Sequence, residues 1–321
     1  MEKEGLKNIE ASTGRLFGDL WHKLDDEQFE QSVDLFANRF EANGFDLSWF
    51  EGKQCLDVGC GGGRYTIAMS RLGAGQVVGC DISDDGLANA RLRAEGMPNV
   101  TFEQASALDL PFDDGSFDFV FSSGVLHHTT DPDRGLDELT RVLLPGGYLY
   151  LMLYGGGGLR WAASMAVRPC AQELGVDFID QAIGKTGLPA NNRRHFLDDF
   201  FAPIVEFVTW GSLRAKLEAR GYGEINRWGR DDHDADANLK DVSKMVLIFS
   251  QAVDLAKSAD SKTLKLAEEG LATVTGFHHQ IEEVMAAHER GEISHQTVVD
   301  KIIGEQINDN HRIVARKGGA A

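Results

Sequence analysis

Residues 55–64 read CLDVGCGGGR and carry the strongest chemical signal in the chain. The apolar run Cys55–Val58 leads straight into Gly59-Cys60-Gly61-Gly62-Gly63, and a helical stretch follows from Tyr65. Glycines let such a turn take positive φ and let a ligand approach the backbone closely. The helix behind it offers free N–H groups and a positive dipole end. Three details narrow the ligand. A dinucleotide fingerprint G-x-G-x-x-G from Gly59 needs its third glycine at position 64, which is Arg64. Asp57, two residues before the turn, puts a carboxylate at the strand end, where it suits an ammonium group and repels a pyrophosphate. Asp81 closes a second apolar run 22 residues after Gly59, the place where a carboxylate accepts from both ribose hydroxyls. A cationic, ribose-bearing, phosphate-free ligand fits all three.

Other residue types could do chemistry further along. The segment SSGVLHHTTDPD carries His127 and His128 just beyond the run Phe117–Ser122. Histidine titrates near pH ~6.5 and can take a proton from an acceptor; one of the pair could instead cap the next helix or pack beneath a covering segment. Arg193-Arg194-His195 could read a carboxylate or phosphate, or form a solvated loop. Asp231-Asp232-His233-Asp234 with Asp236 is rich in oxygen ligands but departs from EF-hand spacing, so it reads as a solvated acidic loop and no metal is expected. Cys55, Cys60, Cys80 and Cys170 show no C-x-x-C pair. Three of them lie in or beside apolar runs, where cysteine packs as a small hydrophobe. With a polar N-terminus lacking an apolar leader pattern, this points to reduced thiols and a cytoplasmic location.

The elements that must position these groups follow from periodicity. Phe29, Val33, Phe36 and Phe40 recur on one helical face. From Gln54 onward short apolar runs alternate with helical stretches, the pattern of repeated βαβ units and a parallel sheet. Strands are expected at Gln54–Val58, Gln76–Asp81, Val100–Gln104, Phe117–Ser122, Gly147–Tyr154, Gly223–Trp228 and Lys244–Gln251. Helices are expected between them, as at Tyr65–Leu72, Asp85–Glu95, Arg134–Val142 and Ser212–Arg220. About fifty residues after the fifth strand exceed a simple crossover; they open with the hinge-like run Gly155–Gly158 and read as a lid or binding segment. After Gln251 the chain reads as helical to its end.

Taken together, LDVGCGGGR, the VGCDIS around Asp81, the ASALDLPFDDGSFDFVFSSGVLHH run and the LLPGGYLYL run resemble the class I S-adenosylmethionine-dependent methyltransferases, closest to the ubiquinone and menaquinone branch. The resemblance covers residues 50–155 by motif and extends to 251 by strand order. It implies an α/β, Rossmann-like, doubly wound, mostly parallel seven-stranded sheet with helical additions at both ends and a lid after the fifth strand. It implies S-adenosyl-L-methionine as cofactor and S-adenosyl-L-homocysteine as product. Gly59, Cys60, Gly61 and Gly63 are then the methionine-side loop, Asp57 anchors the loop or the amino group, and Asp81 holds the ribose. Ile82 and Leu108 cover the two adenine faces. Ser106 stands where the family often has Asp, so its hydroxyl or the backbone of Ala107 and Leu108 would read the adenine amino group. Ser122 and Ser123 approach the methionine end, Tyr65 opens the helix beside it, and His127 and His128 follow near the methyl group. Arg193, Arg194 and His195 become candidate acceptor contacts.

The implied organisation is 1–50 as helices covering the site, 51–251 as the core with the insertion 155–211, and 252–321 as a helical extension suited to self-association as a homodimer. A formal charge of −18, from 32 basic and 50 acidic residues, argues against a nucleic-acid acceptor, and the longest apolar stretch, 148–154, is too short to span a membrane. A small-molecule acceptor remains. Two other readings keep the cofactor: a binding protein without turnover that acts through its helical tail, and an enzyme moving a modified methyl group, for which Arg64 is the nearby cation.

Overall fold

The computed structural model of the chain describes residues 26–228, 235–304 and 310–319. Its sheet consists of β1 (Gln54–Val58), β2 (Gln76–Asp81), β3 (Val100–Gln104), β4 (Phe117–Ser123), β5 (Leu143–Leu153), β6 (Tyr222–Trp228) and β7 (His311–Lys317), in the spatial order β3-β2-β1-β4-β5-β7-β6. β1 to β5 run parallel, and β7 lies antiparallel between β5 and β6. The expected Rossmann-like α/β class holds, with the strand order reversing at β1 and β4.

The helices are α1 (Asp26–Ala42), α2 (Arg64–Arg71), α3 (Asp84–Arg93), α4 (Pro132–Val142), α5 (Gly158–Leu174), α6 (Val176–Lys185), α7 (Ala190–Phe201), α8 (Trp210–Ala219), α9 (Ala235–Ala256), α10 (Ser261–Glu289) and α11 (His295–Ile302). Their starts follow local chemistry. The Ser83 hydroxyl accepts from Gly86 N to open α3, and Asp131 accepts from Arg134 N ahead of Pro132 at the first turn of α4.

One expected strand is corrected. Lys244–Gln251 lies inside α9, and the seventh strand is β7, near the end of the chain. A short apolar run cannot by itself separate a buried strand from a buried helix. Here Val242, Met245, Ile248, Phe249, Ala252 and Ala256 recur at helical spacing, and all are buried. The boundary expected at residue 251 therefore falls within a helix.

Both sheet faces are covered, as a parallel sheet requires. On one face α1 buries Phe29, Val33, Phe36 and Phe40, the face its sequence marked. Phe40 stacks with Phe36 at 4.3 Å and meets Trp228 edge-on at 4.6 Å. The insertion helices α5, α6 and α7 pack with α9, α10 and α11 around a separate apolar core that includes Val167, Ile179, Phe200, Phe249, Val274 and Ile302. The insertion after β5 and the helices after β6 thus share one helical body.

Gly156 and Gly158, read as hinge-like, sit instead at close crossings. Both have positive φ, and a Cβ would lie 2.2 Å from Phe207 at Gly156 and 2.3 Å from the Ile302 carbonyl at Gly158. Of the expected N-terminal region 1–50, residues 1–25 lie outside the described residues, as does Asp231–Asp234 of the acidic run. Among the described residues no cluster suited to a metal is present, and no helix is long and apolar enough to cross a membrane.

Candidate active site

A cavity of about 460 Å³ opens at the carboxyl ends of β1, β2, β4 and β5, bordered by α1 on one side and α7 on the other. That is the usual place and size for a ligand on a doubly wound sheet. The glycine turn forms one wall. Gly59, Gly61 and Gly63 have φ of 75°, 51° and 80°. A Cβ at Gly59 would lie 2.2 Å from Val125 Cγ2, so the turn can pass beneath the β4 loop only as glycine.

Two carboxylates flank this wall. Asp57, at the end of β1, is buried and accepts a hydrogen bond from Thr66 Oγ1 at 2.7 Å. Burial pushes its carboxyl up to about 7, against the pull of the Thr66 hydrogen bond. Asp81, at the end of β2, accepts from Gly61 N and from Ser83 N, each at 2.8 Å. Burial raises it as well, while these amides draw it back.

The two histidines part company. His127 is buried away from the cavity, its ring stacked on Tyr154 at 3.8 Å, with neither ring nitrogen hydrogen-bonded among the described residues. Burial and the adjoining His128 hold it well below the ordinary imidazole range, so it is neutral. His128 lines the cavity. Its Nδ1 lies 2.7 Å from the Ile204 carbonyl, which can only accept, so Nδ1 carries the proton; Nε2 lies 3.3 Å from Asp198 Oδ1. Burial opposes its charge most strongly, but Asp198, the Ile204 carbonyl and Asp199 together raise its pKa. Asp198 also accepts from the Tyr154 hydroxyl at 2.6 Å, and these partners keep its carboxyl low despite burial. His128, Asp198 and Tyr154 thereby join the β4 loop, α7 and the end of β5.

Of the other residues singled out by sequence, Cys60, Tyr65, Ile82, Ser106, Ala107, Ser123, Arg194 and His195 line the cavity. Gly63, Leu108, Ser122 and Arg193 do not. Gly63 lies against Ala90 and Phe102 beneath the turn, and Ser122 is buried in β4 with no partner for its hydroxyl among the described residues. Leu108 turns its carbonyl to Arg134 Nε at 3.0 Å. Arg193 makes a two-point pair with Asp180, including Nη2 to Oδ2 at 2.6 Å, which ties α7 to α6. The basic triplet splits because successive helical residues point ~100° apart.

Sequence reading missed Arg39, Asp198, Tyr154, Asn310 and Arg312, all of which line the cavity. Asp198 could have been found, since it stands four residues after Arg194 on the same helical face.

Residues 56–151 match a family model described as a methyltransferase domain. The demethylmenaquinone methyltransferase of Clavibacter sepedonicus is 44% identical over 100 residues, covering 31% of this chain and 40% of that one. That of Staphylococcus carnosus is 39% identical over 99 residues, covering 30% and 41%. The chain thus spans about two fifths of the length of these curated relatives. A solved structure from Galdieria sulphuraria, titled as a candidate sarcosine dimethylglycine methyltransferase, covers 96% of this chain and 98% of its own with a TM-score of 0.51; at 14% identity it shows the shared fold. The motifs, the strand order and these matches coincide on the same segment, so residues 56–151 form a methyltransferase domain on a Rossmann-like fold, similar in sequence to the demethylmenaquinone methyltransferases.

Proposed function

We propose that the protein transfers a methyl group from S-adenosylmethionine to a small-molecule acceptor held between α1 and α7. One observation carries this reading: a single cavity joins the glycine turn with Asp57 and Asp81 to the His128–Asp198–Tyr154 group.

The residues fit the cofactor. Two carboxylates and a turn without lysine suit a cationic nucleoside and disfavour a pyrophosphate. Asp81 would accept from the ribose hydroxyls, the ionised Asp57 would face the ammonium group, and Ile82 with Ala107 would flank the base. When bound, the cofactor supplies a methyl group already activated by its sulfonium.

The protein therefore mainly aligns the acceptor and excludes water. Alignment of this kind can supply about 7–11 kcal/mol in favourable cases. For an acceptor with a proton to lose, His128 is the base, with Nδ1–H fixed on Ile204 and Nε2, held beside Asp198, the nitrogen that takes the proton. His127, buried and neutral behind it, serves packing.

A mass-spectrometric screen for methylated products across a metabolite library, run beside calorimetry with S-adenosylmethionine and S-adenosylhomocysteine, tests the proposal. Methylated product from one small-molecule class is the expected outcome. Tight cofactor binding with no turnover on any acceptor would leave a binding protein instead. Arg39, Arg64 and Arg312 in the cavity favour one second reading, transfer of a carboxylated methyl group, which the same screen separates by product mass.

A further inference from the structure

The cavity is cationic on one side, although the chain as a whole carries −18. Its three carboxylates are engaged within the protein: Asp57 by Thr66, Asp81 by two backbone amides and Asp198 by Tyr154 and His128. Arg39 and Arg312 have no carboxylate partner among the described residues. Arg39 reaches from α1 to donate to the Tyr150 hydroxyl at 3.2 Å. Arg312 stands on β7 directly opposite Met152 of β5, so both point to the face that carries Tyr150 and the cavity.

The place of Arg312 along the sheet separates it from the two cofactor carboxylates. From β1, which carries Asp57, the sheet runs through β4 and β5 to β7. Three strand intervals amount to about 14 Å. Asp81 lies one strand further in the opposite direction. Arg312 therefore stands at the end of the cavity remote from the ribose carboxylate, and Arg39 reaches in from α1 with the Tyr150 and Tyr65 hydroxyls as its partners.

We propose that Arg39, steadied by its hydrogen bond to the Tyr150 hydroxyl, and Arg312 form an oxyanion site that receives a carboxylate or phosphate of the methyl acceptor. The site rests on the methyl-transfer reading for its role but not for its existence. Two guanidinium groups without carboxylates offer forked donors matched to such a group. This selects anionic small molecules from the open list of acceptors.

Calorimetric titration with inorganic phosphate, on protein saturated with S-adenosylhomocysteine, tests the site. Phosphate should bind the saturated protein. Arg39→Gln and Arg312→Gln should each weaken phosphate by roughly tenfold or more, the scale of one lost charge-assisted contact, with S-adenosylhomocysteine affinity changed less than about threefold. Arg39→Lys and Arg312→Lys, which keep the charge and guard against misfolding, should retain measurable phosphate binding. Absence of phosphate binding, or phosphate binding indifferent to both Gln variants, overturns the site. So does a loss of S-adenosylhomocysteine equal to the loss of phosphate, which would assign the arginines to the cofactor's own carboxylate. Failure of the methyl-transfer reading shows separately, as wild-type protein that does not bind S-adenosylhomocysteine; titration of the free protein with phosphate then decides the oxyanion site.

Discussion

Asp57 ties the cofactor proposal to a pH dependence. With its carboxyl pushed up to about 7 by burial, the residue is largely protonated in mildly acidic solution and must ionise to face an ammonium group. Cofactor affinity should rise as pH increases through about 7 and level off above it, with proton release on binding in that window. Calorimetry in buffers of different ionisation enthalpy measures the release, and a flat profile would remove Asp57 from the ammonium site. In the proposed cofactor pose Asp81 accepts two charge-assisted ribose hydrogen bonds of about 1.5–3 kcal/mol each, so Asp81→Ala should weaken S-adenosylhomocysteine binding well over tenfold. His128 titrates above the ordinary imidazole value because Asp198, with the Ile204 carbonyl and Asp199, offsets burial. Asp198→Asn removes the strongest of the groups that oppose burial, so the His128 resonance should titrate at lower pH, and the acidic limb of turnover should move with it. An unmoved titration would uncouple the pair. At this scale the sequence was most legible where backbone chemistry restricts the residue type. Gly59, Asp57 and Asp81 were found because a turn and two strand ends admit few residues there. Arg39 and Arg312 were missed because their roles depend on which strands become neighbours, which local spacing does not encode.

The elements were legible wherever period and length agreed. β1, β2 and β3 match their expected ranges, bounded by glycine and proline turns that leave little room for a shift. The run 244–251 failed because its apolar residues satisfy both periods, and packing against α10 and α5 chose the helix. Helix α1 shows what an element contributes beyond pattern. Its Phe40 is fully buried and touches Phe36, Phe50, Phe119, Tyr150 and Trp228, so one ring connects α1 to β4, β5 and β6. Phe40→Ala should cost about 3–5 kcal/mol in denaturant unfolding. It should also loosen Arg39 beside it, so phosphate binding should fall with stability. A cost below ~1 kcal/mol would mean that α1 is held elsewhere.

The whole molecule is a seven-stranded sheet with a helical body inserted late. Trp228 at the end of β6 pairs with Arg312 at the start of β7, so the two strands are hairpin partners with 229–310 placed between them. The same inserted body shares its core with α5, α6 and α7, which border the cavity. Two deletions should therefore behave oppositely. Truncation after Gly304 removes β7 and with it the one strand paired to β6 among the described residues, and it strips Ile313, Val314 and Ala315 from the apolar clusters on the two sheet faces. That chain should lose cooperative unfolding and S-adenosylhomocysteine binding together. Replacing 229–310 with a short hairpin loop of about 2–5 residues keeps all seven strands and the residues Asp57 and Asp81. It leaves the apolar side of α5–α7 without a partner. The shortened chain should keep a cooperative transition and bind S-adenosylhomocysteine, while hydrogen exchange across 158–201 becomes fast and turnover is lost. Protection of 158–201 that survived the replacement would show that this insertion folds on the sheet alone, and the helices after β6 would then need another role.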